Sequence, residues 1–335
     1  MIEFEKINYK IPVDVYQLND EFFFQEENKI YRINSSKEEV YNQSDKFVIM
    51  QTNDKYLLIR TKNEIILLEE IDSILKIAHE IPFHNNGSRQ YTFISNNKVL
   101  FKEFTGDATE ISIYNIPAGY SQTLAVSQGV RDAFIAKENI VCLYDDSIQV
   151  LTKDNTLINE LDLSQNLKNT QITFSAITSD FIFINAFYKD RPETILFKIN
   201  PLTGKIENEY KNLGVDLLLS ESNIYSVKRK TNEITVLDIN TDAERTIILN
   251  DITESYIETQ CKPRIKGKSL IICLQDRNSE FYNKWILLDS DKMLIEHLEL
   301  LPSRLDKNEF FISQFYLNSK RILIQADYEW YLYAR

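Results

Sequence analysis

Apolar and polar residues alternate along residues 193–210 in the pattern of a β-hairpin. Ile195, Phe197 and Ile199 alternate with more variable neighbours in a first strand, the breaker residues 200–204 follow, and a more polar strand comes next. Alternation with a period of two predicts a strand, and an Asn-Pro-Leu-Thr-Gly string predicts a turn. The same pattern recurs along the chain and predicts its architecture.

Turn signals recur at a regular spacing of about 34 to 52 residues, mostly near 43. Asn, Asp and Gly tolerate the positive φ that two-residue hairpin turns require. The predicted turns are Asn19-Asp20, Asn53-Asp54, Asn96-Asn97, Glu138-Asn139, Ser179-Asp180, Ser222-Asn223, Lys266-Gly267 and Asn318-Ser319. Each is followed by a short strand, a polar loop and a third strand.

Four short antiparallel strands repeated every forty-odd residues are typical of a β-propeller. The third strands cover residues 29–34, 64–69, 110–115, 147–152, 193–200, 233–240, 284–289 and 329–334. We therefore predict an all-β single domain over residues 1–335, with eight four-stranded blades, or seven if one short unit merges with its neighbour. A large β-sandwich is the alternative, but it would show no fixed period.

The two ends of the chain complement each other. Residues 310–335 contain three predicted strands, whereas residues 2–11 form an apolar strand with no partner of their own. We expect this N-terminal strand to complete the last blade and to close the ring, because closure hides sheet edges that invite aggregation.

Residues 196–210 resemble the repeat of the quinoprotein-like (PQQ/YVTN-type) propellers, in which a third strand ends in Asp or Asn, a Thr-Gly turn follows and the fourth strand ends in Trp. Weaker matches lie at residues 30–41 and 236–247. Tyr210 stands where that family has its docking Trp, and the glycine-rich motifs are absent. The resemblance implies the fold only and argues against a bound quinone, so no cofactor is expected.

Composition and charge limit the range of possible functions. The chain has 50 acidic and 38 basic residues and a net charge of −12, which disfavours nucleic acids and anionic membranes and favours a basic partner. The cluster Lys228-Arg229-Lys230 precedes a turn and is interpreted as an exposed loop. No apolar run approaches a membrane span and no signal peptide is evident, so we expect a cytoplasmic location. The abundance of Ile, Asn, Lys and Tyr suggests a bacterial source.

No complete set of catalytic or metal-binding residues is evident. The string from Gly119 to Thr123 lacks the second glycine of a nucleophile elbow and is interpreted as a turn. His79 and His84 lack the helical spacing of a zinc site, so no metal is assigned. Three cysteines fit a reducing compartment, with Cys261 and Cys273 paired across a hairpin as the alternative to free thiols.

Charged and aromatic residues gather in the loops that join second to third strands. In a propeller these loops share one face with the links between blades, which often carries the binding site. The predicted partner-binding residues are Asp145, Asp146, Tyr188, Asp190, Arg191, Asp276, Arg277, Asp327 and Tyr328. Aromatic rings supply contact area and carboxylates steer a basic partner.

We therefore predict a non-enzymatic, protein-binding propeller, with a bacterial cytosolic immunity protein that neutralises a toxin as its specific form and a related interaction scaffold as its general form. The alternative is a metal-dependent hydrolase of the lactonase or glycosidase kind, in which the loop carboxylates serve as ligands or as acid and base.

Overall fold

The computed structural model of the chain contains strands and no helix in the part that it describes, which confirms the all-β class. The described residues are 5–12, 14–82, 88–105, 108–127, 129–136, 139–152, 154, 156–178, 180–214, 216–220, 222–227, 231, 233–248, 255–257, 264–266, 269–276, 283–289, 295–296, 312–318, 321–326 and 328–334. Nothing in these ranges forms a helix of the length and apolar character needed to cross a membrane.

The strands are numbered in chain order from β1 (Glu5–Lys6), and the first four sheets follow one another along the chain. Sheet 1 contains β2 (Val15–Leu18), β3 (Glu21–Glu26), β4 (Lys29–Ile33) and β5 (Lys37–Asn42). Sheet 2 contains β6 (Val48–Thr52), β7 (Tyr56–Arg60), β8 (Glu64–Ile71) and β9 (Ile74–Pro82). Sheet 3 contains β10 (Ser88–Ser95), β11 (Lys98–Thr105), β12 (Ala108–Asn115) and β13 (Tyr120–Ser127). Sheet 4 contains β14 (Asp132–Ala136), β15 (Asn139–Leu143), β16 (Ser147–Leu151) and β17 (Leu157–Asp162).

The remaining sheets repeat the same order. Sheet 5 contains β18 (Thr170–Ile177), β19 (Ile182–Tyr188), β20 (Thr194–Asn200) and β21 (Lys205–Lys211). Sheet 6 contains β22 (Asp216–Ser220), β23 (Asn223–Val227), β24 (Glu233–Asp238) and β25 (Glu244–Ile248). Sheet 7 contains β26 (Ser255–Ile257), β27 (Arg264–Lys266), β28 (Ser269–Asp276), β29 (Asn283–Asp289) and β30 (Ile295–Glu296). Sheet 8 contains β31 (Ile312–Leu317), β32 (Arg321–Ala326), β33 (Glu329–Ala334) and β1.

Each described sheet is antiparallel, and all but sheet 7 have four strands, which confirms the predicted four-stranded units there. Sheet 7 has a fifth strand, β27, which pairs with β28 beside β26. Antiparallel order places the first-to-second and third-to-fourth turns at one end of a sheet, here called the turn end. The second-to-third loops and the links between sheets lie at the other end, the loop end. First strands of consecutive sheets contact each other, as β2 does with β6 and β18 with β22. The number of blades and the closure of the ring stay predictions.

The N-terminal segment pairs with the last sheet. In the described residues β1 pairs with β33 through Glu5 opposite Leu332 and Lys6 opposite Tyr331. The predicted strand through residue 11 is wrong beyond Lys6. The amide of Ile7 still donates a hydrogen bond to the carbonyl of Trp330 of β33, and the chain leaves the sheet edge after it. Ile7 and Ile11 are each 4% exposed and fill the core between sheets 8 and 1, whereas Asn8 and Lys10 between them are exposed.

Apolar clusters form where consecutive sheets face each other. One cluster joins sheets 4 and 5 and includes Ile195, Phe197 and Ile199, whereas Leu196 belongs to the cluster between sheets 5 and 6. Both faces of β20 are therefore buried. This explains why the third strands are more uniformly apolar than a strand with one solvent face.

Basic side chains connect neighbouring sheets at the turn end. The Nη2 atom of Arg32, on β4, donates hydrogen bonds to Glu70 Oε1 at 2.6 Å and to the carbonyl of Ser73 at 2.8 Å, both in sheet 2. Arg321, on β32, donates to Asn34 Oδ1 at 2.8 Å in the third-to-fourth turn of sheet 1. These contacts add polar cross-links to the apolar packing between sheets.

Lys198 makes a similar connection from sheet 5 to sheet 6. Its side chain is 3% exposed, and its Nζ atom donates to the carbonyl of Ile239 at 2.7 Å and to Asp242 Oδ1 at 2.6 Å. Tyr210, the residue in place of the family's docking Trp, also reaches Asp242. A buried lysine is tolerated here because two oxygens replace its water shell.

Candidate functional site

The loop ends of sheets 4 and 5 form one continuous surface. The residue 163–169 link between these sheets is hydrogen-bonded to a loop on each side. The amide of Leu163 donates to the carbonyl of Asp146 at 2.7 Å, and the amide of Lys189 donates to the carbonyl of Asn169 at 2.8 Å. We call residues 145–146, 163–169 and 188–193 the sheet 4–5 loop surface. It brings together Asp145, Asp146, Tyr188, Asp190 and Arg191 of the predicted set.

Two leucines anchor the link under this surface. Leu163 is fully buried and Leu167 is 8% exposed, and both belong to the core between sheets 4 and 5. The amide of Leu167 donates to the carbonyl of Leu163 at 2.8 Å, and Thr170 Oγ1 donates to the carbonyl of Leu167 at 2.7 Å. The link is therefore a packed turn that holds the loops at a defined spacing.

A hydrogen bond also fixes the start of the link. The amide of Ser164 donates to Asp162 Oδ1 at 2.8 Å, and this bond lowers the pKa of the Asp162 carboxyl. An Asp that accepts from the amide two residues later forms the local turn that such side chains favour. The strand-to-link junction is thus encoded by its own sequence.

Tyr188, Arg191 and Glu193 form a small ordered group on the loop of sheet 5. The Arg191 guanidinium carbon lies 4.0 Å from the centroid of the Tyr188 ring, and its Nε atom lies 3.0 Å from Glu193 Oε2. The Tyr188 amide donates to the Glu193 carbonyl at 3.0 Å. A cation above an aromatic face is attracted to it. Arg191 therefore lies over Tyr188, while half of its side chain stays exposed to solvent.

The carboxylates of the surface point into solvent. Asp145 is 90% exposed at its side chain and makes a long ion pair of 3.7 Å with Arg131, while Asp146 and Asp190 are also exposed. Among the described residues, the ion pairs include neither Asp146 nor Asp190. Exposed carboxylates of this kind can attract a cationic group.

The other predicted site residues do not join this surface. Tyr328 lies in the second-to-third loop of sheet 8 and is 95% exposed. Asp276 is the last residue of β28. Arg277 and Asp327 lie outside the described residues, as does the Lys228-Arg229-Lys230 cluster.

The described residues contain no group of three or more metal-binding side chains. Gly119 has a φ of 68° and ends the turn at residues 116–119, but Tyr120 to Thr123 belong to β13, so the prediction that the whole string is a turn is wrong beyond Gly119. His79 packs edge-to-face against Tyr56 at 6.3 Å between ring centroids, and His84 lies outside the described residues. Cys142 is a buried free thiol, and the question of a Cys261–Cys273 pair falls outside the described side chains.

Sequence reasoning missed the connecting role of the residue 163–169 link. Its signal is the pair Leu163 and Leu167, two apolar residues four positions apart in a segment otherwise made of Ser, Gln, Asn and Lys. The reasoning also missed that Glu193 holds Arg191. An acidic residue two positions after an arginine in a short loop is a signal, but a weak one.

No known protein family and no curated protein matches the chain. Solved structures do match it. Sqt1 of Saccharomyces cerevisiae is similar with a TM-score of 0.57 and 9% identity, over 100% of this chain and 98% of that one. The WD40 domain of SCAP from fission yeast is similar with a TM-score of 0.55 and 8% identity, over 99% and 98% of the two chains. An oligogalacturonate lyase in complex with manganese is similar with a TM-score of 0.50 and 10% identity, over 81% and 93%.

At these identities the likenesses show the fold alone. They confirm the resemblance to β-propellers that the repeats predicted, and the matched structures include a WD40 domain. The two solved yeast chains align over almost their whole length, so the similarity extends over all the repeats rather than over one hairpin.

Proposed function

We propose that the chain is a non-enzymatic, protein-binding β-propeller of eight blades, whose sheet 4–5 loop surface binds a basic protein partner. The observation that carries this proposal is the pair of backbone hydrogen bonds from Leu163 to Asp146 and from Lys189 to Asn169. They hold exposed carboxylates of two sheets and the Tyr188 ring at a fixed spacing. A preformed surface binds with less loss of conformational entropy than a mobile one.

Contacts between the ends of the chain support a closed ring. The core cluster that contains Ile7 and Ile11 also contains Phe22 of sheet 1 and Leu323 of sheet 8. The Asn318 side chain donates to the carbonyl of Asp20 at 2.9 Å, which links the same two sheets. These contacts between sheets 8 and 1 support the proposed closure.

Charge supports a basic partner. The net charge of −12 gives the molecule a long-range attraction for cations, and exposed Asp146 and Asp190 offer carboxylates for direct contact. Complementary charge raises the association rate and makes it sensitive to salt. Asp276, Arg277 and Asp327 extend the proposed binding residues to sheets 7 and 8.

The specific form of the proposal is a cytoplasmic immunity protein of a bacterium, which neutralises a basic toxin by covering it. The general form is an interaction scaffold. A packed surface that offers exposed carboxylates, with no group of three or more metal-binding side chains among the described residues, suits both forms. The similarity of the chain to a WD40 domain is compatible with either form.

A pair of charge-reversal variants tests the surface. The tagged chain is co-expressed with the product of its neighbouring gene, and the affinity of the purified pair is measured. Asp146→Lys with Asp190→Lys should weaken binding by about a hundredfold, because two favourable charge contacts become repulsive. Asp54→Lys with Asp72→Lys changes the net charge equally but at exposed positions of the turn end, and should leave most of the affinity.

If the two double variants lose affinity equally, binding depends on the overall charge of the chain and not on the sheet 4–5 loop surface. If the product of the neighbouring gene forms no stable complex with the chain, the proposal of an immunity protein is excluded. In that case crosslinking in cells, with and without the Asp146 and Asp190 changes, still decides whether the surface binds protein, because the crosslinked species must vanish in the variant.

The second candidate is a metal-dependent hydrolase. The similar fold of an oligogalacturonate lyase solved with manganese, together with the loop carboxylates, favours it. Mn²⁺ or Ca²⁺ bound by these carboxylates would raise the melting temperature, and Asp190→Asn would abolish that rise. A metal-induced rise that depends on Asp190 would favour the enzyme over the binding protein.

A further inference from the structure

A cleft of about 590 Å³ lies where the N-terminal segment crosses the end of sheet 8. It is lined by residues 6–12 on one side and by Gln325 and residues 328–330 on the other. The volume falls within the roughly 300–1,000 Å³ of small-molecule sites. The cleft is separate from the sheet 4–5 loop surface and shares no residue with it.

Backbone and indole hydrogen bonds build the wall of the cleft. The amide of Ile7 donates to the carbonyl of Trp330 at 2.8 Å, and the Trp330 indole Nε1 donates to the carbonyl of Ile11 at 3.2 Å. Trp330 is 3% exposed, so it is a packed part of the core. The walls are therefore fixed on both sides, and the cleft is a built feature rather than a gap between loops.

The lining of the cleft contains two lysines and one glutamate among its charged side chains. Glu329 is its described acidic residue, and it is already engaged by Lys6, whose Nζ atom lies 2.6 Å from Glu329 Oε1. Lys10 is exposed, and the ion pairs of the described residues do not include it. Lys10 is thus available to a carboxylate, in a cleft whose lining mixes the polar side chains of Asn8 and Gln325 with apolar and aromatic ones.

Tyr328 lies in the lining of the cleft, and neither its backbone conformation nor its packing explains why a tyrosine occupies this position. Tyr328 has a φ of 66°, a conformation that costs a bulky residue energy and that glycine or asparagine adopts more easily. Its side chain is 95% exposed, so burial of the ring contributes no stability that could offset this cost. Strained residues of this kind concentrate at binding sites.

We propose that this cleft binds an aromatic carboxylate, with the ring of the ligand against Tyr328 and its carboxylate at Lys10. Stacked rings attract each other beyond the area they bury, and a lysine in the cleft fixes the position of the acid group. Two sources share this chemistry: a free aromatic acid and the C-terminal aromatic residue of a peptide.

Titration of the full chain with two probes, followed by nuclear magnetic resonance, tests the proposal. N-acetyl-tyrosine represents a peptide C-terminus and 4-hydroxyphenylacetate represents a free acid, and the tighter of the two identifies the source. N-acetyl-tyrosine amide lacks the carboxylate and should bind about tenfold more weakly than the acid, the ratio that corresponds to one charge-assisted hydrogen bond.

Variants assign the binding to the two residues. Lys10→Glu should weaken the acid probes about tenfold or more, whereas Lys46→Glu, at an exposed lysine between sheets 1 and 2, should not change their affinity. Tyr328→Phe should retain binding. Tyr328→Gly should lose binding yet raise the melting temperature, because glycine relieves the backbone strain.

Absence of binding by both acids would overturn the proposal. So would equal binding of the acid and the amide, or unchanged binding in Lys10→Glu or Tyr328→Gly. The partner experiment on Asp146 and Asp190 is independent of this outcome, since neither residue lines the cleft.

Discussion

Tyr210 donates a hydrogen bond from its hydroxyl to Asp242 Oδ1, 2.5 Å away, and thereby connects the outer strand of sheet 5 to the third-to-fourth turn of sheet 6. The same carboxylate oxygen accepts a hydrogen bond from Lys198. Burial and this carboxylate raise the pKa of the tyrosine hydroxyl, so it remains a donor at all ordinary pH values. A polar anchor stands where quinoprotein-like repeats place a tryptophan.

Replacing Tyr210 by Phe should lower the free energy of unfolding by about 1–2 kcal/mol, because the ring packing remains and one hydrogen bond to a carboxylate is lost. Urea denaturation followed by circular dichroism measures the change. Tyr120→Phe serves as the control at a residue that is 55% exposed, and it should change stability little. Equal effects of the two substitutions would mean that the Asp242 bond contributes nothing.

Asp242 should make the free energy of unfolding depend on pH in the acid range. Burial alone would raise the pKa of its carboxyl, but hydrogen bonds from Lys198 and Tyr210 lower it below the ordinary value of about 4. A carboxyl whose pKa is lower in the folded chain stabilises the fold fully above its unfolded pKa. That contribution disappears as the pH falls through the folded pKa.

The stability difference between the wild type and Asp242→Asn should therefore be largest above about pH 5 and should shrink steadily below about pH 4. Urea denaturation at a series of pH values measures it. A difference that stays constant down to the acid limit would show that the Asp242 carboxylate is not stabilised by its partners.

Cys142 should be unreactive in the folded chain. Its side chain is fully buried, and burial raises the pKa of its thiol to about 11, with Lys102 opposing the rise slightly. In a Cys261→Ser, Cys273→Ser variant it is the one thiol of the chain. Reaction with a thiol reagent at pH 8 should then follow unfolding in urea, because the thiolate is the reactive form. Rapid labelling without denaturant would contradict the buried position.

The sequence predicted the repeat because turn residues and strand periodicity are local properties. Asn19 occupies a predicted turn and has a φ of 52°, and Gly204 has a φ of 60° in the Thr-Gly turn that the resemblance rests on. Local patterns therefore located the strands and their turns. The pairing of the N-terminal segment with the last sheet also followed, because the last unit has three predicted strands and the N-terminal strand has no partner of its own.

The cross-links between sheets were not predicted, because their two partners lie about one repeat apart. Lys198 and Asp242 are separated by 44 residues, and Arg32 and Glu70 by 38. A lysine in an apolar third strand resembles a solvated residue until the neighbouring sheet is placed against it. The usable signal is a lone basic residue in a third strand with an acidic residue one repeat later.

The sheet 4–5 loop surface was predicted as a set of residue types and not as an arrangement. Asp145 and Asp190 lie in equivalent loops of neighbouring units, which sequence alone can recognise. Their connection depends on Leu163 and Leu167 entering the core, and an apolar residue in a polar loop is often simply exposed. Packing between sheets decides the spacing of the site.

Substitutions at Gly204 and Gly129 separate the cost of a positive φ from the cost of a steric clash. It has a φ of 60°, and a Cβ atom at this position would lie 2.4 Å from the Asn159 side chain of sheet 4. Gly129 has a φ of 68° with nothing within 4 Å, so Gly129→Ala measures the backbone cost alone, about 1 kcal/mol. Gly204→Ala should cost more than this, and the excess measures the cost of moving the end of the Asn159 side chain. Adding Asn159→Ala to Gly204→Ala should remove most of the excess in urea denaturation, because the obstructing atoms are gone. If the added change leaves the excess intact, the close approach of sheets 4 and 5 at this turn is not the cause.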